Sequence, residues 1–101
     1  MEYDAANMRV RYTHRAHDDL DAIYTFLDDR NPTAAQSVKD LIERRIAGLA
    51  DFPFKAPPSE DAGVYELTIV RYPYKVYYEV ANTEVWIIHI RHTSRDEWEG
   101  L

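Results

Sequence analysis

The stretch from residue 64 to residue 92 constrains the fold more than any other part of the chain. It contains three runs of strand length, each dense in β-branched and aromatic side chains, which fit a pleated and partly buried surface better than a helix. The runs are Val64–Val70, Arg71–Val80 and Val85–Arg91. Because the joints between them are short, the three strands are predicted to form an antiparallel meander.

The register of the last hairpin depends on the length of its turn, and the sequence leaves two alternatives open. A two-residue turn at Asn82-Thr83 puts the even-numbered residues of Tyr74–Val80 on one face with the odd-numbered residues of Val85–Arg91. A three- or five-residue connection puts them with the even-numbered residues instead. In either register both faces of the sheet carry large apolar side chains, so something must cover both faces.

The residues before the meander predict one short strand and two helices. Met8–Tyr12 alternates apolar and basic residues, which is typical of an edge strand with one wet face. Thr13 is predicted to cap a helix that ends near Arg30. Asn31-Pro32 is predicted to begin a second helix, which ends near Asp51. The apolar stripes of the two helices are Ala16, Leu20, Ile23, Tyr24 and Leu27, and then Ala35, Val38, Ile42 and Ile46.

The resulting order is β-α-α-β-β-β, an α+β fold in which a helix hairpin packs on an antiparallel sheet. A proline-rich connector follows the second helix, and its Phe52 and Phe54 are expected to tuck under the sheet edge. The hairpin covers only one sheet face, so the C-terminal tail or a partner must cover the other. The isolated chain is therefore expected to self-associate or to be poorly soluble.

Length and composition bound the class of protein. With 101 residues, the chain is expected to be one domain over residues 8–101, preceded by an N-terminal extension over residues 1–7. It contains no cysteine, which excludes thiolate metal sites and cysteine nucleophiles. A net charge of −6 counts against strong general affinity for nucleic acid. No signal peptide or membrane-length apolar run is evident, so a cytoplasmic location without membrane contact is expected.

The histidines do not predict a metal site, and no cofactor is expected. His14 and His17 are three residues apart at a helix start, but the sequence shows no carboxylate-flanked ligand set around them. His89 and His92 differ by an odd number in a strand, so they point to opposite faces while the strand stays regular.

Cations near the ends of the last two strands are the candidate functional residues. Paired as a hairpin, these strands bring together Arg71, Lys75, Arg91, His92 and Arg95. Such cations hold a phosphate, and a histidine exchanges a proton near neutral pH, which are the parts that a metal-free ribonuclease needs. In the structural alternative, the first two of these cations pair with Glu66 and Glu79 across the strands. Trp98 either closes over the sheet or marks a contact surface.

Six pieces of the sequence, in this order and at this spacing, resemble the RelE/ParE superfamily of bacterial type II toxins. They are Tyr12-Thr13 with Ala16, Asp19–Ile23, Asn31-Pro32 with Ala34-Ala35, Leu49–Pro53, Arg71–Tyr78 and Ile90–Arg95. The resemblance covers about residues 8–98 and implies the same fold, a helix hairpin against an antiparallel sheet. It also implies a cognate antitoxin whose extended or helical tail wraps the toxin, giving a hetero-oligomer that covers the exposed sheet.

The resemblance implies one of two alternative targets. RelE-like members cleave mRNA on the ribosome, whereas ParE-like members inhibit DNA gyrase without a recognised active site. Lys75 stands where the nucleases place a phosphate-stabilising arginine, so the charge is kept but the bidentate fork is lost. The nucleases' terminal Tyr or His-Tyr group has no clear counterpart. The His92-x-x-Arg95 ending and the Arg71-Tyr72-Pro73-Tyr74 strand entry are closer to the ParE-like pattern.

The sequence therefore predicts a toxin that inhibits DNA gyrase by protein-protein contact. Its predicted target-facing residues are Arg71, Lys75, His92, Arg95 and Trp98. The enzyme alternative is a ribosome-dependent mRNA endonuclease that uses Lys75, His92 and Arg95. The third alternative is a degenerate binding partner without toxicity.

Overall fold

The computed structural model describes residues 8–94, and in this range the chain forms the predicted order of elements. Two helices pack against one face of a four-stranded sheet whose strand order is β1-β4-β3-β2. The elements are β1 (Arg9–Tyr12), α1 (His14–Asp28), α2 (Pro32–Ala47), a 3-10 turn (Gly48–Ala50), β2 (Tyr65–Ile69), β3 (Tyr74–Ala81) and β4 (Glu84–His92).

Both helices begin where their capping residues predict. Thr13 Oγ1 accepts a hydrogen bond from the Ala16 amide at 3.1 Å. Asn31 Oδ1 accepts one from the Ala34 amide at 3.1 Å, and a proline occupies the first turn of α2. These bonds satisfy amides that the helix itself leaves without partners. Helix α2 ends four residues earlier than predicted because the chain tightens into the 3-10 turn before Asp51.

The core lies between the helix hairpin and the sheet. The predicted stripe of α2 is buried, with Ile42 at 0% and Ile46 at 1% exposed, whereas Tyr24 and Leu27 of the α1 stripe are only partly buried. The two stripes pack against the strands that occupy the middle of the sheet. The sheet residues in this core are Leu67, Ile69, Tyr74, Val76, Tyr78, Val85, Ile87 and Ile90. The hairpin therefore covers one sheet face, as expected from its amphipathic pattern.

The sheet is mixed. Strands β2, β3 and β4 form the predicted antiparallel meander, whereas β1 pairs in parallel with β4, so that Val10 lies opposite Val85. Arg71-Tyr72-Pro73 forms the turn between β2 and β3 and is not part of a strand, contrary to the predicted run. This turn is closed by a bond from the Tyr74 amide to the Tyr72 carbonyl at 2.8 Å.

A β-bulge at Ile88 changes the register within the last hairpin, so neither of the two uniform registers is correct. Near the two-residue turn, Tyr78 lies opposite Ile87. The next pair along the ladder is Tyr77 with His89, so Ile88 is the extra residue of β4. Beyond the bulge, Val76 lies opposite Ile90. The bulge thus keeps Ile87 and Ile90, three residues apart, on the same helix-facing side.

The expectation of two apolar sheet faces is wrong in the described residues because of this bulge. Without it, one uniform register would place Ile90 away from the helices and bury His89. With it, Ile87 and Ile90 both lie on the helix side, and the other face is mostly polar, with Tyr77 and Trp86 as its large aromatic residues. The exposed large apolar side chains are Phe52, Phe54 and Val70, and all three lie off this second face. The sheet therefore gives no reason to expect self-association of the isolated chain.

The connector packs differently from the expectation. Phe52 is 67% and Phe54 is 55% exposed, so neither is tucked under the sheet edge. Pro53 is buried between them, and its carbonyl accepts a hydrogen bond from the Tyr78 hydroxyl at 2.8 Å. Pro53 and Phe54 lie in a turn in which the Lys55 amide donates to the Phe52 carbonyl at 3.3 Å, and both phenylalanines are left on the surface. Phe54 lies edge to face with Tyr65, with ring centroids 5.6 Å apart.

Replacing Thr13 with valine is expected to destabilise the fold by about 2 kcal/mol. The hydroxyl caps α1 and also donates to the carbonyl of the bulge residue Ile88 at 3.1 Å. Valine keeps the shape and loses both bonds. Thr33→Val, at an exposed position in the first turn of α2, is the matched control and should change stability by less than about 0.5 kcal/mol. Urea denaturation of both variants makes the comparison, and equal midpoints would contradict the capping role.

The stability of the fold should fall at alkaline pH through Tyr12. Burial, with a further contribution from the negative charge of Glu43, raises the pKa of Tyr12 from 10.0 to about 12. The folded state thus keeps the phenol proton after the unfolded chain has lost it, and stability falls as pH rises from 10 to 12. In Tyr12→Phe this part of the fall should disappear. Thermal melts at intervals across this range measure it, and identical pH profiles would refute the assignment.

Candidate functional site

The sheet face away from the helices, called here the second face, is polar and mixed in charge. This face carries four Lys or Arg residues and three Glu residues. It is therefore slightly positive, although the whole chain has a net charge of −6. By register its members are Arg9, Arg11, Glu66, Thr68, Lys75, Tyr77, Glu79, Glu84, Trp86, His89 and Arg91. This balance differs from the acidic net charge of the whole chain, and it leaves room for a contact with negatively charged groups.

One end of the second face is a tightly paired cluster between β1 and β4. Arg11 Nη1 donates to Glu84 Oε2 at 2.8 Å, and Trp86 Nε1 donates to the other carboxylate oxygen at 3.3 Å. The Arg11 guanidinium also lies 5.2 Å from the centre of the Trp86 ring. The hydrogen bond from Arg11 holds the pKa of the Glu84 carboxyl below its usual value. These groups satisfy one another, which makes this end a support for the sheet.

The other end of the second face contains a cleft of about 360 Å³. Lys75 and Arg91 are cross-strand neighbours on its floor. Lys75 Nζ lies 3.0 Å from Glu66 Oε2, which confirms the cross-strand pairing considered for this lysine. Arg91 Nε donates to the Tyr77 hydroxyl at 3.0 Å. The cleft is lined by Pro58, Ser59, Glu60, Glu66, Lys75, Tyr77 and Arg91.

Helix α1 reaches this end of the sheet through Asp19. One carboxylate oxygen of Asp19 accepts from His89 Nδ1 at 2.6 Å and from the Ile90 amide at 3.0 Å. Strand β1 ends before this point, so the carboxylate takes the place of a neighbouring strand for the Ile90 amide. The His89 ring in turn lies against the Tyr77 ring, with centroids 6.0 Å apart and planes at 19°.

The structure separates the predicted target-facing residues. Lys75 lies on the second face, whereas His92 lies on the helix side, where its ring is 5.1 Å from that of Tyr74. Arg71 lies in the turn after β2 and borders a different cavity, of about 560 Å³, beside α2. Arg95 and Trp98 lie outside the described residues. Of the described members, no two therefore share a surface.

Three side chains of the cleft region were missing from the predicted set. Arg91 belongs to the predicted group of strand-end cations but not to the target-facing set, which contains His92. Tyr77 and Asp19 enter the sequence analysis only as parts of a predicted strand and a predicted helix. The bulge is what brings His89 and Arg91 to the same face as Tyr77, and a strand sequence alone does not reveal a bulge.

The premise that carboxylates do not accompany the histidines of α1 is wrong. His17 Nδ1 lies 3.4 Å from Asp21 Oδ2, and Asp18 completes a group whose ligand atoms all lie within 4.8 Å of one another. All three side chains are exposed on the helix surface, where i,i+4 pairs of this kind are ordinary. We assign no metal to them.

Comparison with known proteins identifies the family. The model of the ParE toxin of the type II toxin-antitoxin system, parDE, matches residues 10–97. The chain belongs to the ParE toxin family. It is thus the toxin of a type II toxin-antitoxin system in the RelE/ParE superfamily, as its sequence predicted.

The chain is similar to three individual proteins, the third of them in fold alone. Toxin RelE2 of Caulobacter vibrioides is 34% identical over 87 residues, which is 86% of this chain and 97% of that protein. A chain from the chromosomal ParDE TA system of P. aeruginosa matches with a TM-score of 0.80 and 28% identity, covering 88% of this chain and 99% of that one. The RelBE2 toxin-antitoxin complex of Mycobacterium tuberculosis shares the fold at 22% identity and a TM-score of 0.60, covering 85% and 91% of the respective chains.

Within residues 8–94, neither helix of this ParE family member is long and apolar enough to cross a membrane.

Proposed function

We propose that this ParE family toxin inhibits DNA gyrase by protein-protein contact through the second face of its sheet, and that a cognate antitoxin blocks it in the cytoplasm. The antitoxin follows from membership of a toxin-antitoxin family. The predicted pair of uncovered apolar sheet faces does not support an antitoxin, because that prediction is wrong.

The charge composition of the cleft is the observation that carries the choice of target. Two carboxylates, Glu60 and Glu66, line the same cleft as Lys75 and Arg91. Glu66 already pairs with Lys75 at 3.0 Å, so much of that lysine's charge is balanced. A polyanionic RNA strand would meet both carboxylates, whereas a protein surface can present a cation to each and an anion to the arginine. The mixed cleft therefore favours a protein target.

A ribosome-dependent mRNA endonuclease is the second candidate, and one arrangement favours it. Lys75 and Arg91 lie side by side across the β3-β4 ladder, and paired cations of this kind stabilise the charge that develops on a phosphoryl group. The 34% identity to toxin RelE2 agrees with this alternative. His92 does not support it, because its side chain lies on the opposite side of the sheet from Lys75.

Expression of the toxin alone in bacteria tests the proposal. We expect growth to stop, with gyrase supercoiling activity lost and cellular mRNA intact. Fragmented mRNA with active gyrase would establish the endonuclease instead. Normal growth at high expression would identify a degenerate partner and refute both activities. Co-expression of the short reading frame next to the toxin gene should restore growth if it encodes the antitoxin.

A further inference from the structure

A continuous line of contacts crosses the second face from helix α1 to Arg91. It begins at Asp19, which holds His89 Nδ1 at 2.6 Å. The ring of His89 lies nearly parallel to that of Tyr77, and the Tyr77 hydroxyl accepts from Arg91 Nε at 3.0 Å. The line joins a helix, β4 and β3, so it links groups that are far apart in the sequence.

The contacts of His89 fix its tautomer and its orientation. The Asp19 carboxylate only accepts hydrogen bonds, so the hydrogen lies on Nδ1. The other ring nitrogen, Nε2, is 3.4 Å from Arg15 Nη2, which only donates. One tautomer satisfies both neighbours, and the ring is thereby held flat against Tyr77. A second-face residue is thus positioned by two residues of α1.

The position of the Tyr77 hydroxyl is equally restricted. Tyr77 is 1% exposed, although it lies on the second face and outside the core beneath the helices. Its hydroxyl holds Arg91 by Nε, which orients the plane of the guanidinium. A guanidinium held in this way meets a planar carboxylate with less loss of side-chain freedom than a mobile one. Arg91 itself is partly exposed and borders the cleft.

We propose that Arg91 is the cation through which the toxin binds a carboxylate on its target protein, and that Tyr77, His89 and Asp19 are positioning residues for it. This proposal rests on the proposed function. A carboxylate is the ligand because the cleft's own glutamates, Glu60 and Glu66, repel the extended negative charge of a nucleic acid while a protein surface can complement them.

Two adjacent tyrosines on opposite faces provide the test. Tyr77→Phe removes the hydroxyl that holds Arg91, and we expect about tenfold more toxin to be needed for half-inhibition of purified gyrase. Tyr78→Phe removes the buried bond to the Pro53 carbonyl, and it should lower the melting temperature by about 5 °C without changing the inhibition of gyrase. A merely structural role for Tyr77 would instead produce the stability loss.

A double-mutant cycle shows whether Tyr77 acts through Arg91. Arg91→Ala should cost about 30-fold in inhibition, and adding Tyr77→Phe to it should cost nothing more. Additive effects, or a Tyr77→Phe variant as potent as the wild type, would overturn the proposal while leaving the gyrase target intact. A wild-type toxin that does not inhibit gyrase but cleaves mRNA would overturn the proposed function and this proposal with it.

Discussion

Inserting one alanine after Tyr77 is expected to unfold the chain, whereas deleting Ile88 leaves it folded. The inserted residue gives Ile88 a partner across the β3-β4 ladder and makes the ladder regular, so Ile90 leaves the core while His89 and Arg91 enter it. Burying these polar groups without partners and losing an apolar side chain together cost at least about 4 kcal/mol, which is close to the whole stability of a small domain. Circular dichroism and urea denaturation measure the outcome.

Deletion of Ile88 is the matched control for this insertion. Ile88 is only partly buried, and its removal also makes the ladder regular but leaves Tyr77 opposite His89, so every later residue of β4 keeps its face. The deletion should lower stability by about 2 kcal/mol, because partly buried methyl groups and the hydrogen bond from Thr13 to the Ile88 carbonyl are lost. A folded insertion variant with the melting temperature of the wild type would show that the register of the bulge does not determine which residues face the helices.

Reversing the charge of Arg91 is expected to weaken inhibition of gyrase by about 100-fold or more. Arg91→Glu removes the hydrogen bond to Tyr77 and presents a carboxylate to the carboxylate that we assign to the target. The same charge change at Arg44, an exposed residue of α2, controls for the general effect of charge. Arg44→Glu should inhibit gyrase as the wild type does.

Purified variants in a supercoiling assay at two salt concentrations make this comparison. The wild type should weaken as salt rises, because the contact is an ion pair at a protein surface, and Arg91→Glu should show little salt dependence. Equal potency of Arg91→Glu and Arg44→Glu would remove Arg91 from the target contact.

Local signals in the sequence were sufficient for the helices and for the order of elements. Thr13 and Asn31 supply side-chain oxygens for free amides, and those bonds form in the structure. The apolar stripes, at helical spacing, contain all the buried residues of both helices, although Tyr24 and Leu27 at the end of the first stripe are only partly buried. Such features depend on neighbours within four residues, which is why they can be predicted from one sequence.

The arrangement of the second face could not be predicted because it depends on one residue whose role is not local. Ile88 looks like any other apolar strand residue, and only packing of both Ile87 and Ile90 on the helices requires it to bulge. Without the bulge, the register set by the two-residue turn would place His92 on the same face as Lys75. With it, Arg91 is the cross-strand neighbour of Lys75.

The packing of the connector could not be predicted from the local sequence either. Phe52 and Phe54 are the most apolar residues of their segment, yet the buried residues are Pro53 and Ala56. The Pro53 carbonyl accepts a hydrogen bond from Tyr78, a residue 25 positions away, which helps to hold the segment in this orientation. Long-range bonds of this kind leave no pattern in the local sequence.

Site-specific photocrosslinking to gyrase tests the central claim, that the toxin engages its target with the second face of the sheet. A crosslinking side chain at Thr68 or Glu79, exposed on that face, should capture gyrase, whereas one at Thr33 or Asp40, exposed on α2, should not. Crosslinks from the α2 positions alone would contradict the claim and would place the target contact on the helix hairpin.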